Sequence, residues 1–337
     1  MKLELDPQLS AHCESGATTN LLNFYKLQMN EPLAFGIGAG LYFGHLPFMK
    51  MHYMPVTTFR SSPGLVFQRT CKNLGLTYYR KGFKDPEQSM TELDKVLDQG
   101  TPVGLQVGVY NLPFFPAEYR MHYNMHNMIV YGKENGKYIV ADSIVPGEHH
   151  LTREELKIVR YPKGPFNPKG KMYYITSLPK EVDYKTAVLK GLKKVISEMT
   201  VPFWMVGVRG IRFLAGKVRK WPVKLGDKMA SRYLGQLILI QEEIGTGGCG
   251  YRYIFGAFLI EAARILDDPK FIEFSKQVND IATKWREFSY QGARNCKERS
   301  GPEVTYDHLA DILLEVASME EKLYADLKNH LRSQYKM

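Results

Sequence analysis

The most informative segment of the sequence for the fold is His126-Asn-Met-Ile-Val-Tyr-Gly-Lys-Glu-Asn-Gly-Lys-Tyr-Ile-Val-Ala-Asp142. Two runs of apolar, β-branched and aromatic residues flank the turn-forming pair Asn135-Gly136, a pattern that predicts an antiparallel β-hairpin with strands at 127–131 and 137–141. Similar runs predict further strands at 102–110 and 172–175. The first half of the chain therefore contains an antiparallel sheet.

Helical spacing of apolar residues precedes these strands at 17–25, 61–74 and 88–97. Helices followed by antiparallel strands predict an α+β domain over residues 1–180. From residue 181 onward the chain predicts an all-α domain, 181–337, with helices at 185–199, 203–220, 227–243, 251–266, 269–288 and 307–335. The last helix carries a stripe of aliphatic residues along one face, which is typical of core packing or of a homo-oligomer contact.

The composition is that of an ordinary globular protein, because 44% of the 337 residues are hydrophobic and 24% are charged. The most apolar segment, 202–216, is interrupted by Arg209 and Arg212, so we expect no membrane-spanning helix. The beginning of the chain shows no basic and apolar pattern of a secretion signal. Four scattered cysteines indicate free thiols in a reducing compartment, and we expect a cytoplasmic protein.

The net charge of +10 is concentrated in one part of the chain. Residues 157–232 hold 18 basic and 4 acidic side chains. Such a stretch favours an acidic partner, which could be nucleic acid, an anionic membrane or an acidic carrier protein, although a solvated helix face would look the same. Nucleic acid is disfavoured, since the chain has no zinc-finger spacing, RNA-recognition signature or basic tail.

Cys13 is the first candidate for chemistry, because it stands directly ahead of the first predicted helix. Unpaired backbone N–H groups and the positive end of the helix dipole stabilise a thiolate at such a position. A cysteine near a helix start can equally be a small buried apolar residue. No spacing of histidines or cysteines predicts a metal site.

His126 and Asp142 lie at the two outer ends of the predicted hairpin. A two-residue turn would pair 134 with 137 and direct Asp142 to the opposite face of the sheet from His126. A three-residue loop, 134–136, would pair 133 with 137 and make Asp142 the diagonal neighbour of His126 on the same face. We predict this second register, in which the carboxylate orients the imidazole while the other ring nitrogen faces a thiol.

These motifs resemble the butirosin-biosynthesis acyltransferase H family. The resemblance rests on His12-Cys-Glu-Ser-Gly-Ala-Thr-Thr-Asn-Leu-Leu22, on Phe35-Gly-Ile-Gly-Ala-Gly-Leu-Tyr-Phe43 and on Leu112-Pro113 leading into His126. In the second half it rests on Gly247-Gly248 with Arg252 and on Phe258-Leu-Ile-Glu-Ala-Ala263. It implies a papain-like catalytic domain followed by a helical companion domain that caps the cleft and docks a carrier.

The resemblance further implies an enzyme that moves an acyl group from an acyl-carrier-protein thioester, through a cysteine, onto an acceptor amine or hydroxyl. Cys13 would be the nucleophile, His126 the base and Asp142 the residue that orients it. Gln8 stands roughly where papain-like folds keep an oxyanion glutamine. An acid would be expected near position 108, where this chain has Gly108.

The carrier would present its own 4′-phosphopantetheine, so no separate cofactor is expected. The loop residues Gly247 and Gly248, with Arg252, are candidates for binding the phosphate of that group. The basic stretch supplies candidates for docking an acidic carrier protein: Lys190, Lys193, Lys194, Arg209 and Arg212.

Two other functions remain open at this point. A cysteine hydrolase, either a peptidase or an amidase, would use the same three residues with water as the acceptor. A non-catalytic binding protein could also retain the fold.

Overall fold

The computed structural model describes residues 2–51, 53–297, 301 and 304–336. Contacts along the chain divide it into two compact units. The first contains the chain up to Ala34 together with Pro63–Asp183, and the second contains Phe35–Ser62 together with the chain from Tyr184 onward. The sequence division at 180/181 had assigned the segment Phe35–Ser62 to the first domain.

The described residues form a mixed α/β structure with a sheet in the N-terminal half and a helical C-terminal region. The strands are β1 Leu41–Met51, β2 Met54–Arg60, β3 Thr77–Lys81, β4 Val103–Val107, β5 His126–Glu134, β6 Lys137–Asp142, β7 Glu148–Leu151 and β8 Met172–Ser177. The helices are α1 Cys13–Phe24, α2 Glu31–Ile37, α3 Leu65–Asn73, α4 Pro86–Asp98, α5 Arg153–Arg160, α6 Tyr184–Met199, α7 Gly207–Val218, α8 Trp221–Leu225, α9 Asp227–Glu242, α10 Arg252–Leu266, α11 Lys270–Cys296 and α12 Tyr306–Tyr335.

The predicted strands are confirmed as β4, β5, β6 and β8, and each predicted helix has a counterpart. The prediction missed β1, β2, β3 and β7 and the short helices α2, α5 and α8. Strand β1 contains Gly44 and Pro47, which interrupt the strand pattern, and α5 is an eight-residue helix in which charged residues predominate.

In the first unit, six strands form one sheet in the order β3-β8-β4-β5-β6-β7, and all paired neighbours are antiparallel. Its apolar core includes Leu93 of α4, Leu105 of β4, Val130 of β5 and Leu156 of α5. Side chains alternate across a strand, so Asn127 points to the face opposite Met128 and Val130, towards α1. The sheet therefore separates this core from the helix that begins with Cys13.

The β5–β6 hairpin has a different turn from the one predicted. Glu134 pairs with Lys137 across the two-residue turn Asn135-Gly136, whose φ angles of 49° and 75° are both left-handed. The predicted three-residue loop is therefore wrong. A register shift then leaves Tyr131 as an extra residue between the pairs Gly132–Ile139 and Val130–Val140.

This β-bulge restores the register that the sequence predicted. Beyond Tyr131, Met128 pairs with Asp142, which makes Asp142 the diagonal neighbour of His126 on the same face. A shift of one residue would have turned the carboxylate to the other face of the sheet. The bulge is held by the N-terminal segment, since Leu3 N donates to Tyr131 O at 2.9 Å.

In the second unit, β1 and β2 form a two-stranded sheet that packs against α7 and α9. The amide of His45 donates to Met205 O at 2.9 Å, which ties β1 to the segment before α7. These contacts explain why this part of the chain groups with the helices. The aliphatic stripe of α12 is buried within the unit, as expected for core packing: Leu309, Ile312, Leu313, Val316, Leu323, Leu327 and Leu331.

The helical unit also contains a buried ion pair. Arg252 Nε donates to Glu320 Oε1 at 2.9 Å, and Trp285 Nε1 donates to the same oxygen at 3.0 Å. The guanidinium lies over the indole ring of Trp285, with Cζ 5.1 Å from the ring centroid. Over the described part of the chain, no helix is both long enough and apolar enough to cross a membrane.

We predict opposite effects from the same substitution at two glycines that both have open space around the missing side chain. Gly136→Ala should destabilise the protein by about 1–2 kcal/mol, because φ at this turn position is +75°. Gly216→Ala in α7 should stabilise it by up to about 1 kcal/mol, because alanine loses less entropy in a helix. Urea unfolding followed by circular dichroism measures both, and an unchanged Gly136→Ala protein would contradict the left-handed turn.

Candidate active site

Cys13 is the first residue of α1 and is 5% exposed. His12 caps the helix, and two carboxylates hold the chain on either side of the thiol. Glu31 accepts hydrogen bonds from Ala11 N at 2.9 Å and His12 N at 2.7 Å. Glu14 accepts from Val66 N at 2.9 Å and thereby joins the first turn of α1 to the start of α3.

The two carboxylates differ in burial, because Glu31 is only partly buried. Glu14 is fully buried, and burial raises the pKa of Glu31 although its bonds to the Ala11 and His12 amides and to Ser15 oppose that rise. Each carboxylate accepts hydrogen bonds from two backbone N–H groups that have no partner within a helix. The position of Cys13 is therefore fixed by these hydrogen bonds and not by the helix alone.

His126 and Asp142 form a short buried hydrogen bond, in which Nε2 donates to Oδ2 at 2.5 Å. The other carboxylate oxygen of Asp142 accepts from Ile144 N at 2.8 Å and Val145 N at 3.1 Å. The Phe115 ring lies nearly perpendicular to the imidazole, with centroids 5.1 Å apart. These contacts leave the imidazole one orientation.

The imidazole also makes a hydrogen bond with the Cys13 side chain. Because Nε2 is engaged by Asp142, Nδ1 is the ring nitrogen that is left for this second partner. Burial alone would lower the pKa of His126, but the Asp142 carboxylate and then the Cys13 side chain raise it well above its ordinary value. Burial opposes ionisation of Asp142, whereas His126 and the two backbone amides lower the pKa of this carboxyl group overall.

Asn127 is a site residue that the sequence analysis missed. Its Nδ2 donates towards Cys13 Sγ at 3.7 Å and to Met125 O at 3.2 Å, and its Oδ1 accepts from the Tyr173 hydroxyl at 2.9 Å. Asn127 and Tyr173 are both buried. An amide directly after the candidate base was visible in the sequence, but its direction depends on the packing of α1 against β5.

Gln8 does not belong to this cluster. Its side chain is exposed, and its Nε2 donates to Asp6 Oδ2 at 3.0 Å. Its backbone amide donates to Asn20 Oδ1 at 2.9 Å, which fixes the segment as part of the approach to α1. The structure therefore argues against Gln8 as an oxyanion donor, and Asn127 is the side-chain amide that lies beside the sulfur.

The structure also argues against the proposed phosphate loop. Arg252 is buried against Glu320 and is therefore unavailable to a phosphate. In the loop itself, Gly248 N donates to Thr246 Oγ1 and Cys249 N donates to Glu242 Oε2, so these N–H groups serve internal contacts. Nothing in the loop geometry singles out Gly247 as a ligand.

The basic stretch 157–232 is less uniform than its composition suggests. Arg160 is buried and donates to Gly170 O at 2.8 Å. Among the docking candidates, Lys194 pairs with Glu198 and Arg212 pairs with Glu321. The three remaining candidates are exposed: Lys190, Lys193 and Arg209.

The absence of an acid at position 108 has a steric cause. A Cβ atom on Gly108 would lie 2.8 Å from both Asn124 Oδ1 and Pro162 Cγ. Asn124 is buried and donates to Lys163 O and Pro165 O, so it cannot easily move away. Among the residues that the structure describes, no group of three or more His, Cys, Asp or Glu side chains is arranged to hold a metal ion.

Comparisons with known proteins agree with the resemblance found in the sequence. Residues 12–143 match the family described as "Butirosin biosynthesis protein H, N-terminal", and this range contains Cys13, His126 and Asp142. Residues 154–327 match the "Domain of unknown function (DUF4872)", which covers more than half of the chain. A comparison with curated proteins finds no significant match. The chain belongs to the family that joins a butirosin-biosynthesis-protein-H N-terminal domain to a companion domain of unknown function.

Proposed function

We propose that this protein is a papain-like thiol acyltransferase that moves an acyl group from a carrier-protein thioester, through Cys13, to an amine or hydroxyl acceptor. The supporting observation is the buried chain of contacts from Cys13 to His126 to Asp142. The family description, which names a butirosin biosynthesis protein, supports a role in biosynthesis.

In the first half of the reaction, the Cys13 thiolate attacks the thioester carbonyl carbon and forms a new C–Sγ bond. The carbon–sulfur bond to phosphopantetheine then breaks, and the departing sulfur takes a proton from the His126 imidazolium. The carrier leaves as a free thiol, and the acyl group remains on Cys13. Asn127 Nδ2 donates to the oxyanion that forms in between, because it already lies beside the sulfur.

In the second half, the amine or hydroxyl of the acceptor attacks the acyl-Cys13 carbonyl. Nδ1 of His126 takes the proton of the attacking group, and the C–Sγ bond breaks to return the thiolate. Asp142 keeps Nε2–H directed at itself throughout, so the proton moves only on the Nδ1 side. These steps need no cofactor beyond the 4′-phosphopantetheine that the carrier presents.

An acidic carrier protein is the proposed donor, and exposed Lys190 and Lys193 of α6 are its proposed docking contacts, with Arg209 of α7. Lys190 and Lys193 form no ion pair with another described residue, so both ammonium groups are available to a partner protein. Electrostatic attraction of this kind acts mainly on the association rate and weakens with salt.

We predict that incubation with an acyl-carrier thioester adds one acyl mass to the wild-type protein and none to Cys13→Ala, as measured by intact-mass spectrometry. An added amine should remove the acyl group as the amide. Cys71→Ala is the matched control, because Cys71 is a buried cysteine whose pKa is raised by burial.

Three outcomes would contradict the proposal. Release of free acid with and without the amine would indicate a cysteine hydrolase. Acylation that persists in Cys13→Ala would exclude the nucleophile, and an absence of acylation in any variant would favour a binding protein. If carrier-dependent turnover does not change with salt or with Lys190→Glu/Lys193→Glu, only the proposed docking contacts are contradicted.

We predict that Asp142→Asn shifts the alkaline limb of the pH–rate profile to lower pH. The reactive pair needs His126 protonated, and the Asp142 carboxylate raises the pKa of this imidazole. Without that charge the imidazolium loses its proton at lower pH, and turnover near neutral pH should fall by about tenfold or more. The pH–rate profile of single-turnover acyl transfer measures this, and an unchanged alkaline limb would contradict the assigned role.

We predict that Asn127→Ala slows acylation of Cys13 by about 10²-fold, which is the usual effect of removing one oxyanion donor. Tyr173→Phe should have a smaller effect in the same direction, because it removes only the hydroxyl that orients the amide. Asn23→Ala is the control, since it removes two side-chain hydrogen bonds of α1, both to Met29 and none to Cys13 or His126. Stopped-flow acylation rates that are equal in Asn127→Ala and Asn23→Ala would contradict the role.

A further inference from the structure

Two consecutive aromatic residues are exposed in the turn between α6 and α7 of the helical unit. Phe203 is 44% exposed and Trp204 is 52% exposed. The turn is not free to hide them, because the next residues are buried and bonded. Met205 O accepts from His45 N at 2.9 Å, and Val206 forms a bridge with Gly44. The two rings are therefore held outward by a fixed backbone.

Lysine side chains follow the aromatic pair. The Trp204 ring packs edge-on against Phe213, with centroids 4.4 Å apart, and Lys217 Nζ lies 4.8 Å from the centroid of the Phe213 ring. Lys217 is followed by Lys220 and Lys224 at spacings of three and four residues. None of these three lysines forms an ion pair with another residue that the structure describes.

A further apolar side chain protrudes between two of these lysines in the chain. Val223 of α8 is 93% exposed and lies between Lys220 and Lys224 in the chain. The whole stretch 199–226 contains six basic residues and no acidic one. We call this surface the aromatic–lysine ridge, and define it as Phe203, Trp204, Lys217, Lys220, Val223 and Lys224.

We propose that the aromatic–lysine ridge binds the surface of an anionic lipid membrane. Protruding tryptophan, phenylalanine and aliphatic side chains enter the headgroup region of a bilayer, and lysines beside them contact lipid phosphates. The ridge has both components on neighbouring parts of the chain. The acids of α12 that lie near it, Asp307, Asp311 and Glu321, are paired with Arg219 and Arg212, so the ridge lysines keep a net positive surface.

A second copy of the chain fits this surface poorly. A symmetric dimer would bring the same lysines of both copies together, and like charges in an interface weaken it. An acidic protein would match the charge, but the ridge offers exposed projecting side chains and not a groove. The proposal does not depend on the acyltransferase function, because no ridge residue has a role in the chemistry proposed for Cys13, His126 and Asp142.

The test uses the full chain and vesicles of phosphatidylcholine with or without phosphatidylglycerol. The wild type should sediment with the anionic vesicles at low salt, sediment much less with neutral vesicles, and be released by high salt. Phe203→Ser/Trp204→Ser and Lys217→Gln/Lys220→Gln/Lys224→Gln should each reduce the bound fraction by about tenfold or more. Val223→Asp should also reduce it, and this highly exposed position cannot disturb the core.

Tyr290→Ser/Arg294→Gln is the matched control. Tyr290 is an exposed aromatic residue on α11 with the Arg294 guanidinium over its ring, so it has the same chemistry outside the ridge. The control should bind vesicles like the wild type. Absence of wild-type binding to anionic vesicles, or equal losses in the control and ridge variants, would overturn the proposal.

One further outcome would identify a different partner. If no vesicle binds, and the ridge variants instead lose carrier-dependent acyl transfer while Cys13 still reacts with a small thioester, the ridge is a protein-docking surface. Acylation of Cys13 by a small thioester also separates failure of the ridge from failure of the proposed function.

Discussion

The buried hydrogen bond between His126 and Asp142 is the contact on which the site depends. A carboxylate inside a protein is costly unless it is paired and hydrogen-bonded, and Asp142 has the imidazole on one oxygen and two backbone amides on the other. Because this acid is held ionised, His126 keeps a proton that burial alone would remove. The protonation of the imidazole beside Cys13 is thus a consequence of how β5 and β6 pair.

That pairing depends on one residue. The turn Asn135-Gly136 by itself would set a register that places Asp142 on the wrong face, and the bulge at Tyr131 corrects it by a single position. The bulge in turn bonds to Leu3, in the segment that leads to α1. The chain before the cysteine and the hairpin that carries the histidine and the acid are therefore joined at the residue that sets the register.

The thiol is positioned by two acids and an amide. Glu31 and Glu14 accept backbone N–H groups on each side of Cys13, while Asn127 reaches its sulfur from the sheet. None of these three residues stands out by spacing, since their partners are backbone atoms or lie far away in sequence. Gln8, chosen by analogy of position, turns instead to Asp6. The way α1 packs on β5 places Asn127, and not Gln8, beside the sulfur.

Apolar periodicity and turn residues were enough to predict the sheet and the helical region, and the motifs indicated Cys13, His126 and Asp142 as residues able to do chemistry. It also indicated the family, which the motif matches bear out. Three features could be seen only once the chain was folded: 35–62 groups with the helices, Arg252 is paired with Glu320, and Asn127 faces the sulfur. The physical reason is that periodicity records which side of an element is buried, whereas a bulge, a buried ion pair or a contact between distant elements depends on what packs against that side.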